Sequence, residues 1–433
     1  MNSLTVQRSE ALIGQVRVPG DKSISHRAVL FGSLADDVSR VRGFPRGGDC
    51  LATLECVRRL GIEIEEAGAD ELLIHGRGLH GWQEPSLPLD CVTSGTTMRL
   101  LAGLVAGAGI FAVLSGGPQL SRRPMGRVAE PLRKMGAIVL GRQRGTLPPL
   151  AIQGGNLRGI DYRLPIASAQ VKSAILLAGL FTHDLTVVVE PGPSRDHTER
   201  MLRAMGAPVH TLGAKITSEA PTTPLQPLDL RVPADMSSAA FLLTAAVLVP
   251  GSVITLEDVV LNPTRRGLFD ILRRMGADLR ISEETEVCGE PVGHITARPG
   301  SLTATTVGGE LVVRAIDELP VLAVAATQAH GITTVRNAEE LRVKETDRIS
   351  TVVAELRKLG AHIEVQPDGF IVEGPTPLRG AVVDSHGDHR LAMALCVAGL
   401  LAHGETTIMD TECIADSFPG FERVLVKLGA EVS

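Results

Sequence analysis

The sequence predicts an α/β protein of two domains, each a threefold repeat of one smaller unit, and three observations carry that reading. A short phrase returns six times: a hydrophobic residue, basic residues, Met or Leu, then Gly and a small or apolar residue. It reads VRRLGI ending at Ile62, LRKMGA at Ala137, LRAMGA at Ala207, LRRMGA at Ala277, LRKLGA at Ala361 and LVKLGA at Ala430. The chain of 433 residues is also longer than one ordinary hydrophobic core serves. A Pro- and Thr-rich passage, Pro221 to Pro227, follows the third copy, so the copies fall three and three. One copy alone reads as a generic helix end. Six at a near-even period read as duplication, which sets the architecture before any single motif does.

Each phrase has a local physical meaning. Lys and Arg in a last helical turn meet the negative end of the helix dipole. The following Gly adopts a left-handed cap that would strain a residue with a Cβ. What comes next alternates apolar and polar, as in Ala361 to Val365, and predicts a strand. Each unit therefore ends in a helix, a sharp stop and a strand. Between the halves, Leu228 to Val232 reads as a strand. An apolar helix starts near Ser237, with Asp235 or Ser237 as its N-cap. A hinge is expected near residues 232–236.

Composition removes several function classes. The net charge is −6, which offers no basic footprint for nucleic acid or an anionic membrane. Aromatic residues are scarce, with one Trp (Trp82), one Tyr (Tyr162) and nine Phe, so base stacking is a poor basis for function. The six cysteines, at 50, 56, 91, 288, 396 and 413, form no CxxC. Their scatter suits thiols in a reducing compartment, although an even number leaves a disulfide open. The N-terminus has no basic, apolar, cleavable signal. The apolar stretches Ser173 to Phe181 and Ala239 to Val249 fall short of a membrane span. These features predict a soluble, cytoplasmic protein.

Cations recur in short polar stretches beside Ser, Gly and Thr. In Pro19-Gly20-Asp21-Lys22-Ser23-Ile24-Ser25-His26-Arg27, the residues Lys22, Ser23 and Arg27 open a helix, where free N–H groups and the dipole favour an anion. A capped, solvated helix start fits the same residues. Ser94-Gly95-Thr96-Thr97-Met98-Arg99 is a small-residue turn feeding a helix, open to close backbone approach by a phosphate or carboxylate. It lacks P-loop spacing, and a plain N-cap fits it equally. Ser121-Arg122-Arg123-Pro124 offers a planar fork on a stiff backbone, or a solvated loop. Ser168-Ala169-Gln170-Val171-Lys172 and Ser194-Arg195-Asp196-His197 set hydroxyl and amide groups beside cations, as a polyhydroxylated, phosphorylated ligand would need. Capped surface turns read the same way.

The densest stretch is Arg342-Val343-Lys344-Glu345-Thr346-Asp347-Arg348. If helical, it carries Lys344 and Arg348 on one face at i and i+4, with Glu345 adjacent. A salt-bridged, solvated helix is the alternative. Asp317-Glu318 upstream and Asp388-His389-Arg390 downstream add carboxylates and another cation. His386 and His389 have no third ligand evident nearby, so no metal site is expected. Many cations with a few carboxylates among them fit two anionic substrates and general acid–base chemistry.

VPGDKSISHRA, SGTTMRL, RRPMGRV, SAQVKSA, SRDHTER, LRVKETDR and DHRLAMA occur in this order along the chain. In these seven strings it resembles the 5-enolpyruvylshikimate-3-phosphate synthase family of enolpyruvyl transferases across essentially its whole length. The resemblance implies a two-domain inside-out α/β barrel, or prism. It has six βαβαββ units, three per domain, with helices buried and sheets outside. The domains expected are 21–233, and 1–20 joined with 234–433, with crossings near 20 and near 232–236 and closure on substrate.

The resemblance also implies the reaction. The 5-hydroxyl of shikimate 3-phosphate adds to C2 of phosphoenolpyruvate as C3 gains a proton, and phosphate then leaves the tetrahedral intermediate. No cofactor or metal is expected. Carried over by motif, Lys22, Ser23, Arg27, Ser168, Ala169, Gln170, Ser194, Asp317 and Lys344 hold shikimate 3-phosphate. Lys22, Gly95, Arg123, Gln170, Arg348 and Arg390 hold phosphoenolpyruvate. Asp317 is the base for the 5-hydroxyl, Glu345 the acid at the methylene carbon, and Lys22 shares in proton transfer. A monomer inhibited by glyphosate, with small-molecule partners only, is implied as well.

Two stretches depart from the family pattern. Val92-Thr93 stands where many members have Gly-Asn, and Asp416-Ser417-Phe418-Pro419 where many carry a Lys before Thr-Phe-Pro. Two rival readings share the fold. A UDP-N-acetylglucosamine enolpyruvyl transferase would have Lys-Asn at Lys22-Ser23 and a loop Cys, whereas Cys91 precedes the turn. A non-catalytic anion-binding relative would need neither Asp317 nor Glu345.

Overall fold

The structure is a computed structural model that describes residues 3–433. All six repeated phrases close a helix: Gly48–Arg59, Gly126–Met135, His197–Ala204, Gly267–Met275, Arg348–Lys358 and Phe421–Lys427. Each is stopped by a left-handed glycine; Gly61, Gly136, Gly206, Gly276, Gly360 and Gly429 have φ from 85° to 113°. Five run on into strands, at Ile64–Glu66, Ile138–Gly141, Val209–Leu212, Asp278–Val287 and His362–Gln366. The sixth reaches only a bridge from Val432 to Val6. The strand expected at Leu228 to Val232 is Asp229–Arg231. The apolar helix beyond it is Met236–Leu248, capped by the Asp235 carboxylate accepting from the Ser237 N–H.

The chain divides into two compact units. One, called the central unit below, comprises residues 20–232 together with 286–290. The other, the terminal unit, comprises the residues up to Pro19, 233–285 and 291–433.

The central unit holds three four-stranded sheets of one topology. In the sheet of the second repeat, Leu89–Asp90 pairs in parallel with Phe111–Ser115, and an antiparallel partner, Leu147–Gln153, links that strand to Ile138–Gly141. The parallel pair needs a crossover, which the helix Gly95–Ala108 supplies. The third repeat copies this pattern with Asp161–Arg163, Thr186–Val189, Lys215–Ser218 and Val209–Leu212. The first repeat takes its parallel partner, Asp229–Arg231, from the far end of the unit.

Three helices of the central unit, Lys22–Gly32, Gly95–Ala108 and Ala169–Gly179, are buried on nearly every face. A mostly apolar helix, as Gly95–Ala108 and Ala169–Gly179 are, belongs in a core. Gly95–Ala108 and Ala169–Gly179 touch at Gly103, where a Cβ would lie 2.2 Å from the Ala174 carbonyl oxygen. This close crossing seats the two helix starts side by side.

The terminal unit repeats the theme with Met236–Leu248, Leu319–Thr327 and His389–Gly399 as its buried helices. Its sheets include Thr306–Val307, Gly331–Val335, Gly369–Gly374 and His362–Gln366 in the order just described. The N-terminal segment contributes two strands, Ser3–Val6 antiparallel to Thr406–Met409 and Ile13–Val16 parallel to Val253–Val260. Among the described residues, no helix is long and apolar enough to cross a membrane. Among the described residues, none of the six cysteines is in a disulfide.

Candidate active site

The residues singled out by sequence fall in both units, and each set is coherent within its own. In the central unit, the Asp21 carboxylate accepts from the Ile24 N–H and starts the helix that carries Lys22, Ser23 and Arg27. The Lys22 ammonium lies 2.8 Å from Asp49 Oδ2, and Asp49 Oδ1 accepts from the Thr93 hydroxyl at 3.0 Å. Asp49 thus ties Lys22 to the turn before Gly95. Arg27 is 2 % exposed; it donates from Nε to Thr198 Oγ1, from Nη1 to the Ser23 carbonyl and from Nη2 to Ser173 Oγ. Burial, the largest influence, lowers its pKa to about 10, so it stays charged at neutral pH.

Ser94 caps the next helix by accepting from the Thr97 N–H, so Gly95 is its first residue. Gln170 is in the first turn after its N-cap, Ser168; it accepts from Arg99 Nη1 and donates to Thr96 Oγ1 at 2.8 Å. A Cβ on Gly95 would lie 2.8 Å from Arg99 Nη1 and 3.2 Å from Arg123 Nη1. Gly95, Arg123, Ser168, Ala169 and Gln170 therefore share one neighbourhood with two guanidinium groups. Ser194 is anchored further along, its hydroxyl donating to Glu190 Oε1.

A hydroxyl chain braces these helix starts from below. His26 Nδ1 is 2.6 Å from Thr53 Oγ1, which is 2.6 Å from Thr97 Oγ1, which donates to Ser94 Oγ. Burial, helped by Lys22 and Arg27, lowers the His26 pKa from 6.5 to about 3 against the pull of Asp49. The unfolded chain therefore binds a proton on His26 between pH 6.5 and 3 that the folded chain does not. Stability is expected to fall with pH in that window, by about 1.4 kcal/mol per unit from this group. Urea midpoints against pH for the wild type and His26→Asn check this; an equal slope in both would remove His26 as the source.

The terminal unit gathers the carboxylates. Asp317 is surrounded by Arg348 Nη1 at 3.5 Å, Lys344 Nζ at 3.8 Å and Arg265 Nη1 at 3.9 Å. Glu345 Oε2 accepts from Arg348 Nη2 at 2.7 Å. Arg348 is 1 % exposed and is gripped by Asp388 through Nε at 2.7 Å and Nη2 at 3.1 Å. Burial alone would lower its pKa, but the charges of Asp388, Glu345 and Asp317 outweigh that and raise it. Arg390, in the first turn of its helix, is 3 % exposed; its Nη1 has no hydrogen-bond partner among the described residues.

One expectation is corrected here. Lys344 and Arg348 do not share a helical face. Lys344 is extended (φ −81°, ψ −152°) after the short turn Glu339–Val343, and a new helix begins at Arg348. The break has a local cause: the Asp347 side chain accepts from the Ser350 N–H and caps the new helix. The two cations still meet, at Asp317. His386, weighed with His389 for a metal, pairs instead with Glu355 at 3.0 Å.

Sequence reasoning missed Asp49, Arg265 and Glu190. Asp49 looks like any first-turn acid. Arg265 binds Asp235 at 2.8 Å and Glu318 at 3.2 Å, and so holds the carboxylate-bearing segment against the helix that follows Val232. Nothing in its local sequence marks that role.

The departure at Val92-Thr93 has a geometric consequence. Val92 has φ 50°, a left-handed conformation that a β-branched residue adopts only under strain. Left-handed backbone costs about 1–2 kcal/mol, and glycine's extra unfolded-state freedom takes back about 0.5–1 kcal/mol. Val92→Gly is therefore expected to raise Tm by up to about 3 °C. Calorimetry checks it, and a fall in Tm would show that the valine side chain contributes more than its backbone loses.

The comparisons identify the family. The family profile described as EPSP synthase (3-phosphoshikimate 1-carboxyvinyltransferase) matches residues 6–425. A 3-phosphoshikimate 1-carboxyvinyltransferase of Geobacter sp. (strain M21) is 52% identical over 427 residues, covering 98% of this chain and 99% of that protein. One from Brevibacillus brevis is 50% identical over 425 residues, with 98% and 99% covered. The solved EPSP synthase of Acinetobacter baumannii superposes with a TM-score of 0.90 at 43% identity, covering all of both chains. The enolpyruvyl transferase NikO from Streptomyces tendae, at 22% identity and a TM-score of 0.81 over 100% of this chain and 98% of that one, shares the fold. With its motifs in order, its two clusters of cations and carboxylates, and matches that run nearly end to end, this chain belongs to the EPSP synthase family.

Proposed function

We propose that this chain transfers the enolpyruvyl group of phosphoenolpyruvate to the 5-hydroxyl of shikimate 3-phosphate and releases phosphate. Full-length membership of the family supports the reaction. The observation that carries the anion chemistry is Arg390, a residue 3 % exposed, with an Nη1 that no described residue accepts from. A buried cation is tolerated only when something compensates it. An anionic substrate does so.

Lys22, Ser23, Arg27, Ser168, Ala169, Gln170 and Ser194, with Asp317 and Lys344, hold shikimate 3-phosphate. Lys22, Gly95, Arg123, Gln170, Arg348 and Arg390 hold phosphoenolpyruvate. Asp317 takes the proton of the 5-hydroxyl as the oxygen attacks C2. Glu345 delivers a proton to the methylene carbon and recovers it when phosphate leaves. Arg348, fixed by Asp388 before any ligand arrives, meets developing charge without reorganising, which is where such groups contribute most. The arrangement proposed around these residues is the inside-out prism, with domains 21–233 and 1–20 plus 234–433 and hinges near 20 and 232–236. The enzyme acts as a cytoplasmic monomer, with glyphosate as an inhibitor.

The test supplies phosphoenolpyruvate with either shikimate 3-phosphate or UDP-N-acetylglucosamine. Phosphate release and an enolpyruvyl product are expected with the first only. Turnover with the second alone would overturn the assignment. Gly95 gives a further expectation. A methyl at Gly95 would press on the ends of Arg99 and Arg123, and overpacking of this kind costs about 1–3 kcal/mol. Glyphosate, the longer ligand, is crowded first. Gly95→Ala is thus expected to raise the ratio of its inhibition constant to the phosphoenolpyruvate KM by on the order of tenfold. An unchanged ratio would place glyphosate away from Gly95.

A further inference from the structure

We infer that the buried cluster Glu190–Lys172–Glu199 is a positioning device that holds Ser194 for the phosphorylated acceptor. The inference rests on the acceptor role proposed for Ser194. Lys172 is the fourth residue of the helix Ala169–Gly179 and is 1 % exposed. Its ammonium reaches Glu190 Oε2 at 2.8 Å, Glu199 Oε1 at 2.7 Å and the Ser194 carbonyl at 3.5 Å. Three contacts match the three donors of an ammonium. Burial alone would lower the Lys172 pKa, but the charges of Glu199 and Glu190 outweigh it, so the group stays charged.

The placement of the two carboxylates gives the cluster its purpose. Glu190 follows the strand Thr186–Val189, and Glu199 lies in the first turn of the helix His197–Ala204. They bracket the irregular segment 191–196, which contains Ser194. One lysine therefore pins both ends of that segment, and pins them to the helix whose start carries Ser168, Ala169 and Gln170. Ser194 itself is held twice, by its hydroxyl donating to Glu190 Oε1 and by its carbonyl accepting from Lys172. The same clasp extends to Arg27. Thr198, next to Glu199, accepts from Arg27 Nε at 2.7 Å and lies 2.7 Å from Ser173 Oγ.

Stability alone does not explain such a cluster. Apolar residues of similar volume are often as stable as a buried ion pair or more so. What the ions add is a fixed relation between three segments. A loop fixed before the ligand arrives loses less entropy on binding, which tightens the ligand.

The discriminating experiment is a double-mutant cycle on the full chain, read by calorimetric titration with shikimate 3-phosphate and by steady-state kinetics. Glu190→Gln keeps the side-chain shape and leaves Lys172 paired with Glu199, so folding is retained; melting curves verify it. Ser194→Ala and Glu190→Gln are each expected to weaken shikimate 3-phosphate binding by on the order of tenfold. The double variant is expected to bind no more weakly than Ser194→Ala, and the phosphoenolpyruvate KM should stay within about twofold of wild type throughout. Multiplying effects, wild-type binding by Glu190→Gln, or equal losses toward both substrates would overturn the positioning role. Wild-type binding by Ser194→Ala would overturn it through the Ser194 assignment. The proposed reaction would survive that result, because it is tested separately by turnover of the unmodified chain.

Discussion

Glu345→Gln is expected to lower kcat by about 10²–10⁴-fold, the usual contribution of a general acid–base group, while shikimate 3-phosphate binds nearly as before. The side chain leans on Arg348, with Oε2 accepting from Nη2 at 2.7 Å. An amide oxygen can take that same bond. Arg348 keeps its grip on Asp388 regardless, so the local structure should persist. What the amide cannot do is carry the proton to the methylene carbon and back. Rapid-quench kinetics should therefore show both addition and elimination slowed. Near wild-type turnover would remove Glu345 from the mechanism. Asp317→Asn separates the two carboxylates: its charge faces Arg348, Lys344 and Arg265, so its loss should weaken acceptor binding as well as kcat.

Much of this was legible in the sequence because the relevant physics is local. Six helix stops needed six left-handed glycines, and the phrases supplied them at 61, 136, 206, 276, 360 and 429. Helix starts were legible for the same reason. Ser94 and Asp235, N-cap candidates by sequence, each accept from a first-turn N–H. Asp21, Ser168 and Asp388 cap their helices in the same way, though the sequence marked Asp388 only as a carboxylate. The strand at residues 362–366 was displaced by one residue, as boundaries set by pairing partners often are. The segment 342–348 was misread because its charge spacing suits a helix. The cap at Asp347, the sixth residue of that run, competes with helix propagation and wins.

The illegible part is long-range. Asp49 and Thr93 are 44 positions apart, Arg265 and Glu318 are 53 apart, and Arg348 and Asp388 are 40 apart. Such pairs join segments far apart in sequence that the fold brings together. The Gly103–Ala174 contact that sets Arg99 against Gln170 has no local signature. The motifs named the candidate binding residues; only the fold revealed what braces them.

Arg390→Met is expected to act with opposite sign on the empty protein and on its complex with phosphoenolpyruvate. Arg390 starts the helix His389–Gly399, where Asp388 caps it by accepting the Arg390 N–H at 2.9 Å. That cap uses only the backbone, so the substitution leaves the helix start intact. The residue is 3 % exposed, and its Nη1 has no described acceptor. Asp388 is occupied with Arg348, through both carboxylate oxygens. The empty protein therefore buries a guanidinium nitrogen with no described acceptor, and a buried donor left unmade costs about 1–3 kcal/mol. Methionine has a comparable length and no charge, so the ligand-free Tm should rise. The anionic donor substrate loses its partner, and truncating a buried charged contact typically costs about 2–5 kcal/mol, or roughly 30-fold to several thousandfold in affinity. Shikimate 3-phosphate, assigned to other residues, should bind as in the wild type. Melting without ligand, the phosphoenolpyruvate KM and calorimetric titration of shikimate 3-phosphate check the three parts together. A lower Tm with an unchanged KM would make Arg390 a structural cation, and the donor side of the site would then have to be rebuilt around Arg123 and Arg348.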